Sequence, residues 1–275
     1  MSIQDLQQLL LAYTLLLPRI LCCFVVMPIL SKQMLGGGLV RNGVACSLAL
    51  FIYPAVAGTL PATLTGLELA LVIGKEILLW MFLGTVGVVI LLGLLIGFVA
   101  TIPFWAIEAT GFIIDNQRGA SIASTLNPTL GSQTSPTGLL LTQTLITLFF
   151  SGGAFLMLLG ALFQSYVSWP VATFFPYVGE QWVVFFYSQF SQLLSLCVLL
   201  VAPLLIAMFL AEFGLALISR FAPSLNVFIL AMPIKSIIAS FLLVIYLNVL
   251  MTHAYDSLLL ALDPVQLLTP VLEGR

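Results

Sequence analysis

A run of 26 uncharged, mostly apolar residues at positions 77–102 constrains the fold more than any other feature of this sequence. At 1.5 Å per residue a helix of this length extends about 39 Å, which is enough to cross a hydrocarbon core of about 30 Å. In that core each unpaired backbone amide or carbonyl costs several kcal/mol, so a spanning segment has to be helical. The run therefore predicts a transmembrane α-helix.

The composition extends this prediction to the whole chain. Of the 275 residues 61% are hydrophobic and only 7% are charged, and the mean hydropathy is +1.21, whereas soluble domains carry about 25% charged residues. The length could accommodate roughly six to eight spans, which leaves little sequence for a soluble domain. We therefore predict an all-α fold, a polytopic integral membrane protein of kinked helices and helical hairpins, with residues 1–275 forming one membrane domain.

Prolines, glycines and charges divide the other apolar segments. The first span, residues 9–30, contains Pro18, which predicts a kink, and Arg19, which we expect to be turned toward protein. The motif GLLIG at residues 93–97 has the small-residue spacing that lets two helix backbones approach closely. We interpret residues 139–163 as one span, 185–219 as a tilted or broken pair of helices forming a hairpin, 227–250 as the last apolar run and 251–275 as an amphipathic tail.

Several classes of function find no support in the sequence. His253 is the one histidine, and the sequence has no HExxH motif, no GxSxG motif and no phosphate-binding glycine loop. Its four cysteines show no CxxC or Cys/His spacing of the kind a zinc site needs. A net charge of −2, formed by few groups, does not indicate a nucleic-acid partner. We therefore predict no enzymatic activity, no metal ion, no cofactor and no nucleic acid.

A polar cluster lies between two long apolar segments near the middle of the chain. It consists of four consecutive polar residues and a glycine, namely Asp115, Asn116, Gln117, Arg118 and Gly119. An arginine at mid-bilayer costs roughly 2.5 to 3.5 kcal/mol, so the cluster is expected to be buried in protein or to line water. Residues 109–138 are rich in Ser, Thr, Gly and Pro, which is typical of a loop. We expect this loop to gate or line a pore, with Ile122 and Leu126 as an apolar seal and an Asp115–Arg118 bond as a latch.

Other charged residues also lie within apolar segments. Their signs nearly balance, so we interpret them as buried ion pairs that fix helix register, in which loss of one partner costs about 3 to 5 kcal/mol. Near residues 219–226 we expect side chains that cap or bridge a hairpin turn, because free amides and carbonyls there need partners. The residues to which we assign these structural roles are Glu108, Glu212, Arg220, Pro223, Asn226 and Lys235.

Two long motifs carry a resemblance to a known family. They are IIDNQRG at residues 113–119, preceded by PFWAIEATG and followed by Asn127 and Pro128, and SRFAPSLN at residues 219–226. In these motifs and over nearly its whole length the chain resembles the T component of the bacterial type III secretion export apparatus, and it looks closest to the Yersinia and Pseudomonas type of injectisome. Between Lys75 and Pro103 it is longer than that family, so residues 80–92 look like extra sequence.

The resemblance implies a non-enzymatic subunit of the bacterial inner membrane. Such a subunit joins the R and S components in a helical hetero-oligomeric export gate, one T copy closing the ring around a channel for unfolded secreted proteins. The resemblance also implies contacts with the U export-switch component and with inner rod or needle subunits, in an assembly raised toward the periplasm. The family's loop acts as a plug, and the matching positions here are Asp115, Asn116, Gln117, Arg118, Gly119, Ile122, Leu126, Asn127 and Pro128.

Two other functions are compatible with the polar residues. An ion-coupled secondary transporter or channel would use Asp115, Glu108 and Arg118 as an ion relay, and the purified protein alone would then move a solute across liposomes. A purely structural scaffold would show unchanged membrane leakiness after any change in the loop. An export-gate subunit instead predicts a leak when loop residues are removed.

Overall fold

The computed structural model describes residues 3–30, 38–56, 75–119, 135–168, 181–221 and 227–263, and helices occupy nearly all of these ranges. No β-strand occurs within them, and the predicted all-α fold class is confirmed. In chain order the helices are α1 (Ile3–Val26), a short 3-10 helix (Pro28–Leu30), α2 (Gly38–Val56), α3 (Lys75–Gln117), α4 (Pro136–Ser151), α5 (Ala154–Ser168), α6 (Gln181–Phe221) and α7 (Val227–Ala261).

Three segments are long and apolar enough to cross a membrane: Val86–Gln117 within α3, Trp182–Phe221 within α6 and Ile229–Ala261 within α7. Helices α4 and α5 together make a fourth candidate span with a break in it. The described helices thus give three or four spans, fewer than the roughly six to eight expected from length alone. The reason is that α3, α6 and α7 have 43, 41 and 35 residues, where one crossing needs about 20.

Helix α3 corrects the predicted position of the loop. It continues through Pro103 to Gln117, so residues 109–117, which were assigned to the loop, are helical. Proline, glycine and polar residues disfavour helix in water, but a backbone packed among apolar helices has to satisfy its amides and carbonyls internally. The hydroxyl of Thr110 also donates to the Ala106 carbonyl at 2.7 Å. Residues 80–92 lie inside the same helix and therefore lengthen it.

Three further boundaries differ from the sequence prediction. The span expected at residues 139–163 is divided, because α4 ends at Ser151 and Gly153 adopts a positive φ of 83° that glycine tolerates best. Helix α6 is one continuous helix through Pro203 rather than a broken pair, and the hairpin forms between α6 and α7. Residues 251–261 of the expected tail belong to α7.

Of the described helices, five contain an interior proline, namely Pro18, Pro54, Pro103, Pro203 and Pro233.

The described residues pack as two compact units, each discontinuous in sequence. The first lies within Met1–Thr101, Gly153–Tyr187 and Leu259–Arg275, and the second within Ile102–Gly152 and Ser188–Leu258. In the first, Leu95 and Val99 of α3 pack with Ala161, Phe185 and Ala261. In the second, the core consists of Ile114, Val201, Leu204, Met208 and Ala239. The assignment of residues 1–275 to one domain stays a prediction.

The GLLIG motif has the role that its spacing predicted. A Cβ on Gly93 would overlap the carbonyl oxygen of Arg19, and one on Gly97 would lie 2.8 Å from the carbonyl oxygen of Cys23. Only glycine therefore allows α3 to approach the α1 backbone this closely. Because both contacts advance by four residues in the same direction, α1 and α3 run parallel where they touch.

Candidate functional site

The carboxylate of Asp115 is the centre of a buried polar network at the end of α3. Arg118, one turn later, forms an ion pair with Oδ1, which confirms the predicted contact between these two side chains. Thr137 donates to the same oxygen through its hydroxyl at 2.6 Å and to Oδ2 through its backbone N–H at 3.0 Å. The Ser135 hydroxyl donates to Oδ2 at 2.6 Å. We call Asp115, Arg118, Ser135 and Thr137 the loop base.

The start of α4 explains why two of these donors lie at residues 135 and 137. Ser135 is the N-cap of α4, its hydroxyl accepts the Gly138 N–H at 2.9 Å, and Pro136 fills the first helical position. The free N–H groups of a helix N-terminus favour an anion, and Asp115 supplies one from α3. The sequence Ser-Pro-Thr-Gly carries this capping signal, but nothing local shows that the acid comes from a residue 20 positions away.

Two glycines hold the α3 and α4 backbones together beside the loop base. A Cβ on Gly111 would overlap the backbone of Gly138, and one on Gly138 would lie 2.9 Å from the carbonyl oxygen of Glu108. Farther along the same helices the rings of Phe104 and Phe149 meet edge to face at 5.9 Å. The two helices therefore form an antiparallel hairpin, and residues 120–134 connect its two arms.

Gly119 ends α3 and touches α7. Its φ of +93° lies in the left-handed region, where glycine commonly terminates helices, and its N–H donates to the Asn116 carbonyl at 3.1 Å. A Cβ at this position would lie 3.3 Å from Cγ of Met232. The last described residue before the loop therefore packs directly on the α6–α7 hairpin.

The remaining predicted loop residues have different environments. Asn116 is exposed and Gln117 is half-buried, and neither joins the loop base. Glu108 is also exposed, and in the described part of the chain its side chain does not hydrogen-bond to Asp115 or Arg118. Of the three side chains proposed for an ion relay, only Asp115 and Arg118 therefore bond to each other. Four predicted positions lie outside the described residues: Ile122, Leu126, Asn127 and Pro128.

Two of the predicted structural charges form an ion pair between α6 and α7. The ammonium of Lys235 lies 3.1 Å from Oε2 of Glu212, which agrees with the interpretation of these charges as register-fixing pairs. Arg220 is exposed in the last turn of α6, where a cation complements the helix dipole. Pro223 and Asn226 lie outside the described residues, so a bridged turn there stays a prediction.

Arg19 is fully buried and interacts with helix α5 rather than staying in an isolated apolar environment. Its Nη1 donates to the carbonyl of Ser165 at 2.9 Å, and its guanidinium lies 4.2 Å above the ring of Tyr166. The Tyr166 hydroxyl in turn donates to the Leu16 carbonyl at 2.7 Å. The sequence indicated that Arg19 faces protein, but Ser165 and Tyr166 could not be identified because they lie about 146 residues away.

Comparison with known proteins places this geometry in a family. The model of the bacterial export proteins, family 1, matches residues 10–260. The chain is 68% identical over 267 residues to the Yop proteins translocation protein T of Yersinia pestis, covering 97% of each chain. It is 33% identical to the secretion system apparatus protein SsaT of Salmonella typhimurium, covering 88% of this chain and 89% of that one.

A flagellar relative is also similar. The flagellar biosynthetic protein FliR of Bacillus subtilis is 27% identical over 161 residues, which is 58% of this chain and 62% of that protein. The resemblance carried by the two sequence motifs is thus confirmed over nearly the full chain. The helical membrane fold and these matches agree, and the chain belongs to the bacterial export proteins of family 1, as a component of a type III secretion export apparatus.

Proposed function

We propose that this chain is the T subunit of a type III export gate, which closes the ring formed with the R and S components and lines the channel for unfolded secreted proteins. Its place in this family supports the assignment, as do relatives named for translocation, secretion and flagellar biosynthesis. In this proposal the subunit does no chemistry on the polypeptide that passes through it. It sits in the inner membrane, in an assembly raised toward the periplasm.

The loop base is the observation that carries the proposal. A segment that closes a channel at rest has to keep one position, and holding both of its ends close together restricts the conformations that it can adopt. Here Arg118, just before the segment, and Ser135 and Thr137, just after it, all bond to one buried carboxylate. We propose that residues 120–134 between these anchors act as the plug, with Ile122 and Leu126 forming its apolar seal and Asn127 and Pro128 shaping its turn.

Exposed apolar faces support association with other subunits. We compared one apolar stretch of 18 residues in each of the three long spans. In α3, 61% of this stretch is buried inside the chain, but only 33% in α6 and 17% in α7. Large side chains such as Phe209, Phe213 and Phe241 are more than half exposed. We propose that these faces meet the R and S components, while the U component and the rod or needle subunits contact the assembled complex.

Removing the plug tests the proposal. A complex that lacks residues 120–132 of this chain should assemble and become leaky to small ions, whereas the parental complex should stay closed. The measurement is the conductance of both complexes in planar bilayers at matched abundance. Equal, near-zero conductance would overturn the gate function and leave the loop as an assembly contact.

An ion-coupled transporter makes a different prediction. It requires that the purified chain alone moves a solute across the membrane of liposomes, without the R or S component. The four hydrogen bonds accepted by Asp115 favour an anchoring role over a relay, because a carboxylate held by three residues has little freedom to exchange a proton or an ion.

A further inference from the structure

The ion pair between Glu212 and Lys235 is unequally buried. The Lys235 side chain is 11% exposed and the Glu212 side chain is 45% exposed. Lys235 reaches one carboxylate oxygen, Oε2, at 3.1 Å from the α7 side. Among the described residues no other group bonds to this carboxylate, and nearly half of the surface of the Glu212 side chain stays exposed.

The surroundings of the exposed Glu212 side chain are apolar. Phe209, one turn earlier on α6, and Phe213, which directly follows the acid, are more than half exposed, and Ala216 one turn later is exposed as well. A face of this composition fits lipid or another protein better than bulk water. A carboxylate oxygen on such a face is costly unless it finds a partner.

We propose that the second carboxylate oxygen of Glu212, Oε1, binds a lysine or arginine side chain of a neighbouring subunit when the export apparatus assembles. This inference rests on the proposed function for the existence of the assembly, and it adds the position and chemistry of one contact. A buried ion pair is favourable only when further hydrogen bonds satisfy its remaining lone pairs. A cationic donor forms the strongest such bond to a carboxylate.

The contact has a defined arrangement in the assembled complex. Glu212 lies between two cations, Lys235 from its own chain and a basic side chain from the neighbour. The charge of Lys235 balances the acid within the subunit before assembly, which makes its exposure tolerable in the free chain. The neighbour's basic group can bind only where Glu212 lies along α6. The contact therefore selects both the partner subunit and its position along α6.

A charge swap separates this contact from the pair within the chain. Glu212→Lys should lower the yield of the assembled complex about tenfold, which corresponds to about 1.4 kcal/mol for a charge partner that is only partly buried. The double variant Glu212→Lys with Lys235→Glu rebuilds the internal pair in reverse but places a cation toward the neighbour's cation. We expect the double variant to stay about as defective as Glu212→Lys; recovery to the parental yield would overturn the proposal.

A second double variant covers the case in which the swapped chain does not accumulate in the membrane. Glu212→Gln with Lys235→Gln removes both charges at similar side-chain volume and leaves no unpaired buried charge within the subunit. Complex yield, normalised to the amount of this chain in membranes, should still fall about tenfold because the neighbour's cation loses its carboxylate. An unchanged normalised yield would contradict the proposal.

Photocrosslinking identifies the partner group. A photoreactive amino acid at Phe209 in the otherwise parental chain should crosslink to one partner subunit, at a peptide with a lysine or arginine close to the crosslinked position. Reversal of that basic residue to glutamate should restore assembly of the double variant Glu212→Lys with Lys235→Glu. Crosslinks only to lipid, or to a peptide without a basic residue, would reject the contact.

The crosslinks also distinguish failure of this inference from failure of the proposed function. If the chain does not associate with other export subunits, crosslinks to protein are absent at Phe209, Phe213 and Phe241 alike. If only the Glu212 contact is wrong, crosslinks at Phe213 and Phe241 still reach partner subunits. Neither readout depends on channel conductance.

Discussion

Gly111 and Gly138 bring the backbones of α3 and α4 together so closely that neither position has room for a Cβ. We expect Gly111→Ala to separate the two arms of the hairpin and to lower the thermal stability of the purified complex, since overpacking of this kind costs about 1 to 3 kcal/mol. Gly160→Ala is the matched control, because a Cβ on Gly160 meets nothing within 4 Å. Equal melting temperatures for both variants would show that the contact is not tight.

Asp115 should be more sensitive to substitution than any exposed acid. Asp115→Ala removes the acceptor for Arg118, Ser135 and Thr137, and loss of a buried charge partner costs about 3 to 5 kcal/mol. We expect reduced complex yield and a raised conductance in whatever complex forms. Asp115→Asn keeps the shape and should be intermediate, while the exposed Asp256→Asn should be neutral. A normal yield and a closed channel for Asp115→Ala would remove the loop base from the mechanism.

The buried Arg19 should require both its charge and its planar shape. Arg19→Lys retains the charge but loses the stacking on Tyr166, so we expect decreased thermal stability of the purified complex. Tyr166→Phe loses the hydrogen bond to the Leu16 carbonyl and should cost about 1 kcal/mol. Tyr187→Phe, at an exposed site, should cost nothing measurable. Thermal unfolding measurements should order the three variants by their loss of stability. An unchanged melting temperature for Arg19→Lys would contradict the role assigned to Arg19.

The parallel contact between α1 and α3 makes Gly97 a second intolerant glycine. Gly97→Ala would place a Cβ 2.8 Å from the Cys23 carbonyl oxygen, so α1 would have to move away. We expect a destabilisation of about 1 to 3 kcal/mol in thermal melts. Gly87→Ala lies in the same helix with open space around it and should be neutral or slightly stabilising. The same melting temperature for the two alanine variants would mean that the helices adjust freely.

The chain should not be stable without its partner subunits. Its α6 and α7 faces expose many large apolar side chains, and the half-exposed Glu212 lies among them. Expressed alone, it should be aggregated or rapidly digested by protease, and coexpression with the R and S components should protect it. A monodisperse, protease-resistant monomer in mild detergent would count against the proposed assembly.

Local patterns in the sequence were sufficient for several features. Hydropathy gives the helical membrane fold, because only helices satisfy the backbone of an apolar span. The spacing of Gly93 and Gly97 predicts a close helix contact, and the three-residue spacing of Asp115 and Arg118 allows an ion pair within one helical turn. The two charged residues are close in sequence. The glycines need only the backbone of some neighbouring helix, so the prediction does not depend on which helix that is.

Features that depend on distant residues were not predictable from those patterns. Ser135 and Thr137 reach Asp115 only because Gly111 and Gly138 allow α3 and α4 to touch. The glycine and polar residues from position 109 onward predict a loop too early, since tertiary packing overrides intrinsic propensity. Balanced charges predicted pairing in general, but the partner of Lys235 is set by how α6 lies against α7.

The interior prolines of α3, α6 and α7 have a consequence for the mechanics of the assembly. A proline removes the N–H that would bond the carbonyl four residues earlier, so Pro103, Pro203 and Pro233 each leave one place where the helix axis can bend without breaking a hydrogen bond. Each of these helices then consists of two regular segments that can bend relative to each other at the proline. In the proposed export gate, a wide polypeptide segment that deforms the channel wall would bend these helices at the prolines, at positions that the sequence fixes.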